Sequence, residues 1–166
     1  MSPTPQFILD LRATIGHAPL FLFGVTAIVL REHEGRQQVL LVQRSDTHEW
    51  TAVSGIVEPG QQVHEAALRE VLEETCVVAE IVRLTWVKTY PVVTYVNGDQ
   101  AEYINHTFLM RYVSGEATPG DDESVAAAWF DLDDLPPMQV GYVERLEQAL
   151  RDEPGVLFGD LPGTRA

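Results

Sequence analysis

Residues 55–77 read GIVEPGQQVHEAALREVLEETCV, a glycine-bearing loop that leads directly into a segment with helical periodicity. The segment carries Glu70, Glu73 and Glu74 at positions i, i+3 and i+4, so all three carboxylates project from one helix face. Like charges at this spacing destabilise an isolated helix by about 0.2–0.5 kcal/mol per pair. A divalent cation would offset the repulsion, because hard cations such as Mg²⁺ bind one or two carboxylates together with substrate phosphates. The alternative interpretation is a solvated helix face without a ligand.

The same segment resembles the signature of the Nudix hydrolases, or MutT-like proteins, written G-x5-E-x7-R-E-U-x-E-E-x-G-U with U a bulky aliphatic residue. The residues that match in register are Gly55, Arg69, Glu70, Val71, Glu73, Glu74 and Val77. Two positions depart from the signature, because Gln61 replaces a glutamate and Cys76 replaces a glycine. A motif of this length is far more specific than a lone glycine pattern, and weaker resemblance extends over most of the chain.

The composition is that of one globular domain. The chain has 166 residues, of which 45% are apolar and 22% charged, and this length is enough for a substantial core. No run approaches the roughly 18 apolar residues of a membrane span, and the N-terminus lacks the basic start of a secretory signal. The lone cysteine, Cys76, excludes an intramolecular disulfide. These features predict a cytoplasmic protein that does not interact with a membrane.

The net charge of −14 restricts the partners. Such a surface repels nucleic-acid backbones, so we expect no binding to DNA or RNA. The same surface repels a free phosphorylated substrate, so an acidic protein that acts on one needs a metal ion and a few local cations. The chain has only 11 lysine and arginine residues, so each one near residues 55–77 is a candidate.

The order of strand and helix signals predicts an α/β fold with a mixed β-sheet between helices, which is the α/β/α sandwich that the resemblance implies. Residues 1–166 are expected to form a single domain, with an N-terminal helical cap over 1–17 and a weakly ordered tail over 153–166. The predicted helices are 6–16, 63–75 and 142–152, and the predicted strands are 20–30, 39–44, 50–53, 77–90, 92–96, 101–113 and 125–130. Asn97-Gly98 predicts a hairpin turn. Glycine is usual where this helix ends, and a left-handed Cys76 would cost roughly 1–2 kcal/mol, so we expect either mild strain or a different exit geometry.

The resemblance implies metal ligands in the glutamate cluster. By position, Glu70 and Glu74 are the expected direct ligands of Mg²⁺ or Mn²⁺, and they lie one helical turn apart, so their side chains can converge. Glu73 is expected to bind a further metal ion or to polarise water, and the carbonyl of Gly55 is a further expected ligand. Arg69 is counted among the catalytic residues because it is expected to orient a motif carboxylate rather than to touch substrate.

The general base has two candidates, which are Glu73 in the motif and Glu123 in the acidic loop before the last strand. A solvated acidic loop is the alternative interpretation for Glu123. Gln61 cannot ionise, so an acid role at that position is lost. Arg44 and Lys88 are the predicted substrate-binding cations. Four aromatic residues are candidates either to stack on a nucleotide base or to join the core: Tyr90, Tyr95, Tyr103 and Phe108.

The resemblance implies an enzyme that uses water and divalent cations to cleave a pyrophosphate bond in a nucleoside diphosphate linked to another group. The substrate would be a nucleoside triphosphate or a nucleotide sugar. The alternative is a degenerate domain that binds a nucleotide or a partner without turnover, which the departures at Gln61 and Cys76 suggest. The complete R-E-x-x-E-E core favours the enzyme. A homodimer is compatible with a compact enzyme of this kind.

Overall fold

The computed structural model describes residues 4–161, which form an eight-stranded mixed β-sheet and three α-helices. The helices are α1 (Gln6–Ile15), α2 (Val63–Thr75) and α3 (Val140–Leu150). The strands are β1 (Leu20–His33), β2 (Arg36–Arg44), β3 (Trp50–Thr51), β4 (Val53–Ile56), β5 (Val77–Thr94), β6 (Gln100–Gly115), β7 (Ser124–Asp131) and β8 (Leu157–Phe158). Residues 1–3 of the predicted cap and 162–166 of the predicted tail lie outside the described residues. None of the helices in the described part of the chain is long and apolar enough to cross a membrane.

Strand β1 lies near the centre of the sheet. The strand order is β3-β2-β1-β6-β5-β8, with β4 also paired to β1 and β7 to β2. Strand β1 runs antiparallel to β2 and β4 but parallel to β6, which confirms the predicted mixed sheet. The pairing of β4 with β1 puts Gly55 opposite Val25. The loop that leads into α2 therefore begins beside the centre of the sheet.

The two faces of the sheet carry separate cores, because successive residues of a strand point to opposite sides. The core under α2 includes Val25, Val29, Leu40, Val42, Ala67 and Val71. The core under α3 includes Ile28, Val39, Leu41, Leu146 and Ala149. Helices α2 and α3 thus cover opposite faces, which confirms the α/β/α sandwich. Helix α1 packs Ile8 against a smaller cluster at the start of β1 and β6.

Helix α2 has the bounds that the sequence predicts. Its first turn is closed by a capping box, in which the side chains of Gln62 and Glu65 each accept a hydrogen bond from the other residue's backbone amide. Cys76 ends the helix in the left-handed conformation, with φ 57° and ψ 17°. A residue with a Cβ therefore occupies a conformation that favours glycine, as the sequence predicts.

The buried stripe of α2 differs in part from the one that helical spacing predicts, which is Val63, Ala67, Leu68, Val71 and Leu72. Leu72 is 52% exposed, whereas Ala66 is fully buried. The helical period explains the difference, because the stripe runs through Ala67, Val71 and Glu74 and leaves Leu72 about 100° away from Val71. One consequence is that a glutamate, Glu74, lies in the buried stripe.

A short strand lies within the segment that the sequence predicts to be a weakly ordered tail. Residues Leu157–Phe158 form β8, which runs parallel to Trp86–Val87 of β5. The indole Nε1 of Trp86 donates a hydrogen bond of 2.7 Å to the carbonyl of Gly159. A short apolar pair among glycines and prolines gives little local signal, so its pairing with β5 was not predicted. The predicted hairpin at Asn97-Gly98 is confirmed, with Gly98 at φ 86° between antiparallel β5 and β6.

Candidate functional site

A cleft of about 970 Å³ is lined by residues of α1, β1, β4, α2, β5, β6 and α3. Six of the predicted site residues line it: Arg44, Gly55, Arg69, Glu70, Glu73 and Glu123. Two predicted site residues, Glu74 and Lys88, are not among the lining residues. The structure therefore gathers most of the predicted site around one cavity, although the cavity also contains residues that the motif does not include.

Gly55 and Glu70 are in close contact across the start of the cleft. A Cβ built at residue 55 would overlap the carboxyl group of Glu70, so only glycine leaves room for that side chain. The Glu70 side chain is 14% exposed and accepts a hydrogen bond of 2.9 Å from Arg69. Burial raises the pKa of Glu70 to about 7, against the opposing effect of Arg69. The glycine of the motif thus makes space for a largely buried carboxylate.

Glu74 is the most buried carboxylate of α2. It is 5% exposed, and its Oε1 has no hydrogen-bond partner among the described residues. Burial raises the pKa of Glu74 well above its usual value, and the nearby charges of Glu70 and Glu123 raise it further. A buried carboxylate oxygen without a partner costs free energy unless a ligand satisfies it.

Arg69 connects the helix to the preceding loop. Its guanidinium donates hydrogen bonds to the carbonyl of Ile56 (3.1 Å), to Glu70 (2.9 Å) and to Glu73 (2.8 Å). Glu73 itself is exposed, with 53% of its side chain accessible. Arg69 therefore holds two carboxylates and one loop carbonyl together, and its orienting role in catalysis stays a prediction.

The glutamate cluster, defined as Glu70, Glu73 and Glu74, has the chemistry that a divalent cation requires. Two of its carboxylates are buried and repel each other, and one of their oxygens has no partner. Oxygen donors of this kind are the ligands that Mg²⁺ and Mn²⁺ prefer. Within residues 4–161, no group of three or more His, Cys, Asp or Glu residues is already arranged as a metal site. The third carboxylate, that of Glu73, is exposed and paired with Arg69.

The loop between β6 and β7 docks on the end of α2. The amide of Gly120 donates a hydrogen bond of 3.0 Å to the carbonyl of Glu74. A Cβ at residue 120 would overlap the carbonyl of Glu73, so the loop can approach the helix this closely only because residue 120 is glycine.

The docked loop brings Asp121 and Glu123 into the cleft. The amide of Glu123 donates a hydrogen bond of 2.9 Å to Asp121 Oδ1, and its carbonyl accepts one of 2.8 Å from the amide of Ser45. Partial burial raises the pKa of Glu123, and the neighbouring charge of Asp121 raises it further. Glu123 remains exposed, but hydrogen bonds to its backbone amide and carbonyl fix the loop around it.

The two predicted substrate-binding cations have different surroundings. Arg44 lines the cleft and donates two hydrogen bonds, of 2.8 Å and 2.6 Å, to the carboxylate of Asp46. Lys88 lies 3.1 Å from Asp160, against the face of the Trp86 ring. Its neighbours are β5 and the segment after β8, so Lys88 lies outside the lining of the cleft.

Gln61 has a local structural contact. The side-chain Oε1 of Gln61 accepts a hydrogen bond of 3.2 Å from the backbone amide of Glu58. The backbone amide of Gln61 donates a hydrogen bond of 3.0 Å to the carbonyl of Glu58. The loop before α2 is thus closed by Gln61 and the backbone of Glu58. The Glu58 carboxylate itself makes no hydrogen bond to the residues of the described range.

Three of the four aromatic candidates line the cleft. Tyr90, Tyr95 and Tyr103 belong to the lining, and the hydroxyls of Tyr95 and Tyr103 lie 2.6 Å apart. Phe108 is buried in the core under α2 instead. Its position on β6 explains this, since it pairs in register with Ala27 of β1, which is also buried there.

A further group of side chains in the cleft was not predicted. Arg145 of α3 contacts the rings of Tyr90 and Tyr142, with its guanidinium carbon 4.6 Å and 4.8 Å from their centroids. We call these three residues the tyrosine cage. Tyr142 and Arg145 have the i, i+3 spacing of one helix face, which is a signal in the sequence. Tyr90 comes from β5, and no local pattern reveals contact between separate elements.

Comparison with known proteins adds a family and its relatives. The NUDIX domain family matches residues 21–151. A putative 8-oxo-dGTP diphosphatase from Bacillus subtilis is 32% identical over 117 residues, which cover 70% of this chain and 71% of that protein. The NAD-capped RNA hydrolase NudC of Pseudomonas aeruginosa is 34% identical over 93 residues, or 54% of this chain. The aligned part is only 29% of that longer protein.

A solved structure supports the same relationship. The chain resembles an ADP-ribose pyrophosphatase from Streptococcus suis with a TM-score of 0.63 and 26% sequence identity. The alignment covers 84% of this chain and 98% of that one. The similarity therefore extends over almost the whole of a protein of comparable fold.

Proposed function

The chain belongs to the NUDIX family, and from this premise we propose that it hydrolyses the pyrophosphate bond of a nucleoside diphosphate linked to another group. The observation that carries the proposal is the buried Glu74 carboxylate, which has one oxygen without a partner and lies close to Glu70. A fold that needed no ligand here would gain stability from a neutral side chain in place of Glu74. A carboxylate at residue 74 is what a cation-dependent reaction requires.

The residues that would hold Mg²⁺ or Mn²⁺ are Glu70 and Glu74, with Glu73 and the carbonyl of Gly55 as further ligands. When bound, such an ion would neutralise charge on phosphoryl oxygens and lower the pKa of the attacking water. Arg69 orients Glu70 and Glu73 through hydrogen bonds of 2.9 Å and 2.8 Å. Its role in the proposal is to fix these carboxylates before substrate binds.

Of the two candidate bases, Glu123 is favoured over Glu73. The Glu73 carboxylate is already engaged by Arg69, whereas the Glu123 side chain lines the cleft without an ion pair to any described residue. The raised pKa of Glu123 makes it a better proton acceptor than an ordinary exposed glutamate. We therefore propose that Glu123 takes the proton of the attacking water. Arg44, which also lines the cleft, remains the proposed contact for a phosphate, and Lys88 is not part of the proposed site.

The proposed substrate is a small nucleotide, either a nucleoside triphosphate or a nucleotide sugar. Support comes from the Bacillus subtilis relative, named as a putative 8-oxo-dGTP diphosphatase, and from the Streptococcus suis structure, named as an ADP-ribose pyrophosphatase. The net charge of −14 favours a small molecule over an RNA chain, because RNA presents many phosphates to the whole surface.

The test is release of phosphate or pyrophosphate with Mg²⁺ from nucleoside triphosphates, nucleotide sugars and dinucleoside polyphosphates. Glu74→Gln should lower turnover by at least about 100-fold, because it removes a charge that stabilises the bound cation. The variant should fold at least as stably as the wild type, since a neutral amide is less costly to bury. Glu147→Gln is the matched control, because Glu147 is exposed on α3 and lies outside the cleft lining.

Two outcomes would contradict the proposal. Near wild-type turnover in a folded Glu74→Gln variant would show that the carboxylate does not serve the reaction. No turnover with any class of substrate, together with measurable nucleotide binding, would favour the degenerate binding domain instead.

A further inference from the structure

We propose that Arg145 is a substrate-binding residue that holds a phosphoryl group through the edge of its guanidinium. The inference rests on the proposed function, which supplies the phosphorylated nature of the substrate. The tyrosine cage would then bind the substrate at a place that residues 55–77 do not reach.

The cage determines which part of Arg145 is expected to bind a ligand. The guanidinium carbon lies 4.6 Å and 4.8 Å from the ring centroids of Tyr90 and Tyr142, so two aromatic rings already contact the guanidinium. We therefore expect the N–H groups at its edge, rather than its face, to bind a ligand. These donors form a planar fork, whose geometry matches two oxygens of one phosphoryl group.

Arg145 also differs from the other arginines of the cleft. Three arginines line it, and two already have carboxylate partners: Arg44 pairs with Asp46, and Arg69 with Glu70 and Glu73. Arg145 has no ion pair with any residue of the range 4–161, and its Nε is buried without a hydrogen-bond partner. Other described arginines also lack a carboxylate partner, namely Arg31, Arg83 and Arg151, but Arg145 is the one of them that lines the cleft. An anionic ligand would satisfy both the charge and the buried donor.

The cage lies beside the glutamate cluster along a short path. The hydroxyl of Tyr142 is 3.4 Å from the hydroxyl of Ser54, and the next residue, Gly55, contacts Glu70. A substrate whose pyrophosphate lies at the glutamate cluster is therefore near Arg145. The hydroxyl of Tyr90 is also buried without a hydrogen-bond partner in the described part of the chain, so the cage holds a second donor for the same group.

The experiment compares Arg145→Gln and Arg145→Lys with Arg151→Gln, a charge-matched control just after α3 that is exposed and outside the cleft lining. Steady-state kinetics with the best substrate give KM and kcat, and calorimetric titration with α,β-methylene-ADP at saturating Mg²⁺ gives affinity without turnover. Arg145→Gln should raise KM and weaken the analogue about tenfold or more, with kcat changed less than threefold. Lysine should restore part of the affinity, because it keeps the charge but not the planar fork. Arg151→Gln should match the wild type.

The outcomes separate this inference from the proposed function. If Glu74→Gln is inactive while Arg145→Gln keeps the wild-type KM and analogue affinity, the role of Arg145 is wrong and the hydrolase stands. If Arg145→Gln lowers kcat and the melting temperature together, the cage is structural and the inference is also wrong. If the wild type binds the analogue but hydrolyses no substrate, the hydrolase fails and the affinity of Arg145→Gln alone decides the role of Arg145. Absence of both turnover and binding overturns both.

Discussion

The glutamate cluster and the tyrosine cage lie along one cleft but are assembled in different ways. The cluster comes from consecutive turns of α2, together with the glycine that makes room for Glu70. The cage joins α3 to β5, and its cation has no carboxylate partner among the described residues. The three glutamates thus come together through one local sequence motif. Arg145 meets Tyr90 only through tertiary packing, because the two residues lie on separate elements. Substitutions in the two regions should therefore have different effects on stability and activity.

The largest effect on activity is expected from a methyl group added at Gly55, with a methyl group added at Gly141 of α3 as the comparison. Gly55→Ala should destabilise the fold by about 1–3 kcal/mol, because its Cβ overlaps the Glu70 carboxyl group. Displacement of Glu70 should also lower kcat/KM by about 100-fold. Gly141→Ala in α3 meets open space and should stabilise the helix by up to about 1 kcal/mol. Urea denaturation gives the free energy of unfolding of each variant, and initial rates give kcat/KM. Equal changes in the two variants would contradict the packing of Glu70 on Gly55.

The next effect concerns the pH dependence of stability without divalent cations. The folded state holds the pKa of Glu70 at about 7, above its ordinary value of 4.5, so it binds more protons than the unfolded state between these values. Stability should therefore fall as pH rises from 4.5 to 7, by roughly 3 kcal/mol from this group. Glu70→Gln should remove that part of the slope, whereas Tyr142→Phe in the cage should leave it unchanged. Urea denaturation in EDTA at several pH values measures the slope of the unfolding free energy against pH. Identical slopes for the wild type and Glu70→Gln would refute the raised pKa of Glu70.

A smaller effect is expected where α2 ends. Cys76→Gly should stabilise the protein by about 0.5–1 kcal/mol, because relief of the left-handed strain exceeds the entropy that glycine adds to the unfolded chain. Cys76→Ser keeps the Cβ and should show no such gain. Thermal melting of the two variants measures the difference. A destabilised glycine variant would mean that the thiol makes a favourable contact, for which the nearby Gly120 is the first place to look.

The smallest effect is expected at Gln61. Glutamate at this position keeps the oxygen that accepts the hydrogen bond from the amide of Glu58, so stability should change by less than about 0.5 kcal/mol. Turnover of Gln61→Glu should be equal to or above that of the wild type, within about twofold. Gln61→Leu removes the acceptor and should loosen the loop before α2. A severe loss of activity in Gln61→Glu would show that the cluster is built around a neutral side chain here.

The sequence predicts α2 and its three glutamates well, because capping residues, periodicity and motif spacing are all local. It does not predict that Glu74 is buried, since charged residues in a helix usually indicate an exposed face. The structure buries it because the apolar stripe through Ala67 and Val71 continues through residue 74. Strand β8 and the contact between Arg145 and Tyr90 were missed for a related reason. Both depend on partners distant in sequence, and neither segment has a pattern that identifies its partner.

The close contact of Gly120 with α2 affects which substitutions can change substrate preference. Because the loop that carries Glu123 is anchored on the backbone of Glu73 and Glu74, the reacting groups are expected to move as one rigid body. The tyrosine cage is built from other parts of the chain, namely α3 and the later half of β5. Substitutions in the cage are therefore expected to change substrate preference more than they disturb the glutamate cluster. Acidic groups and the proposed recognition residues would then be able to vary separately within one cavity.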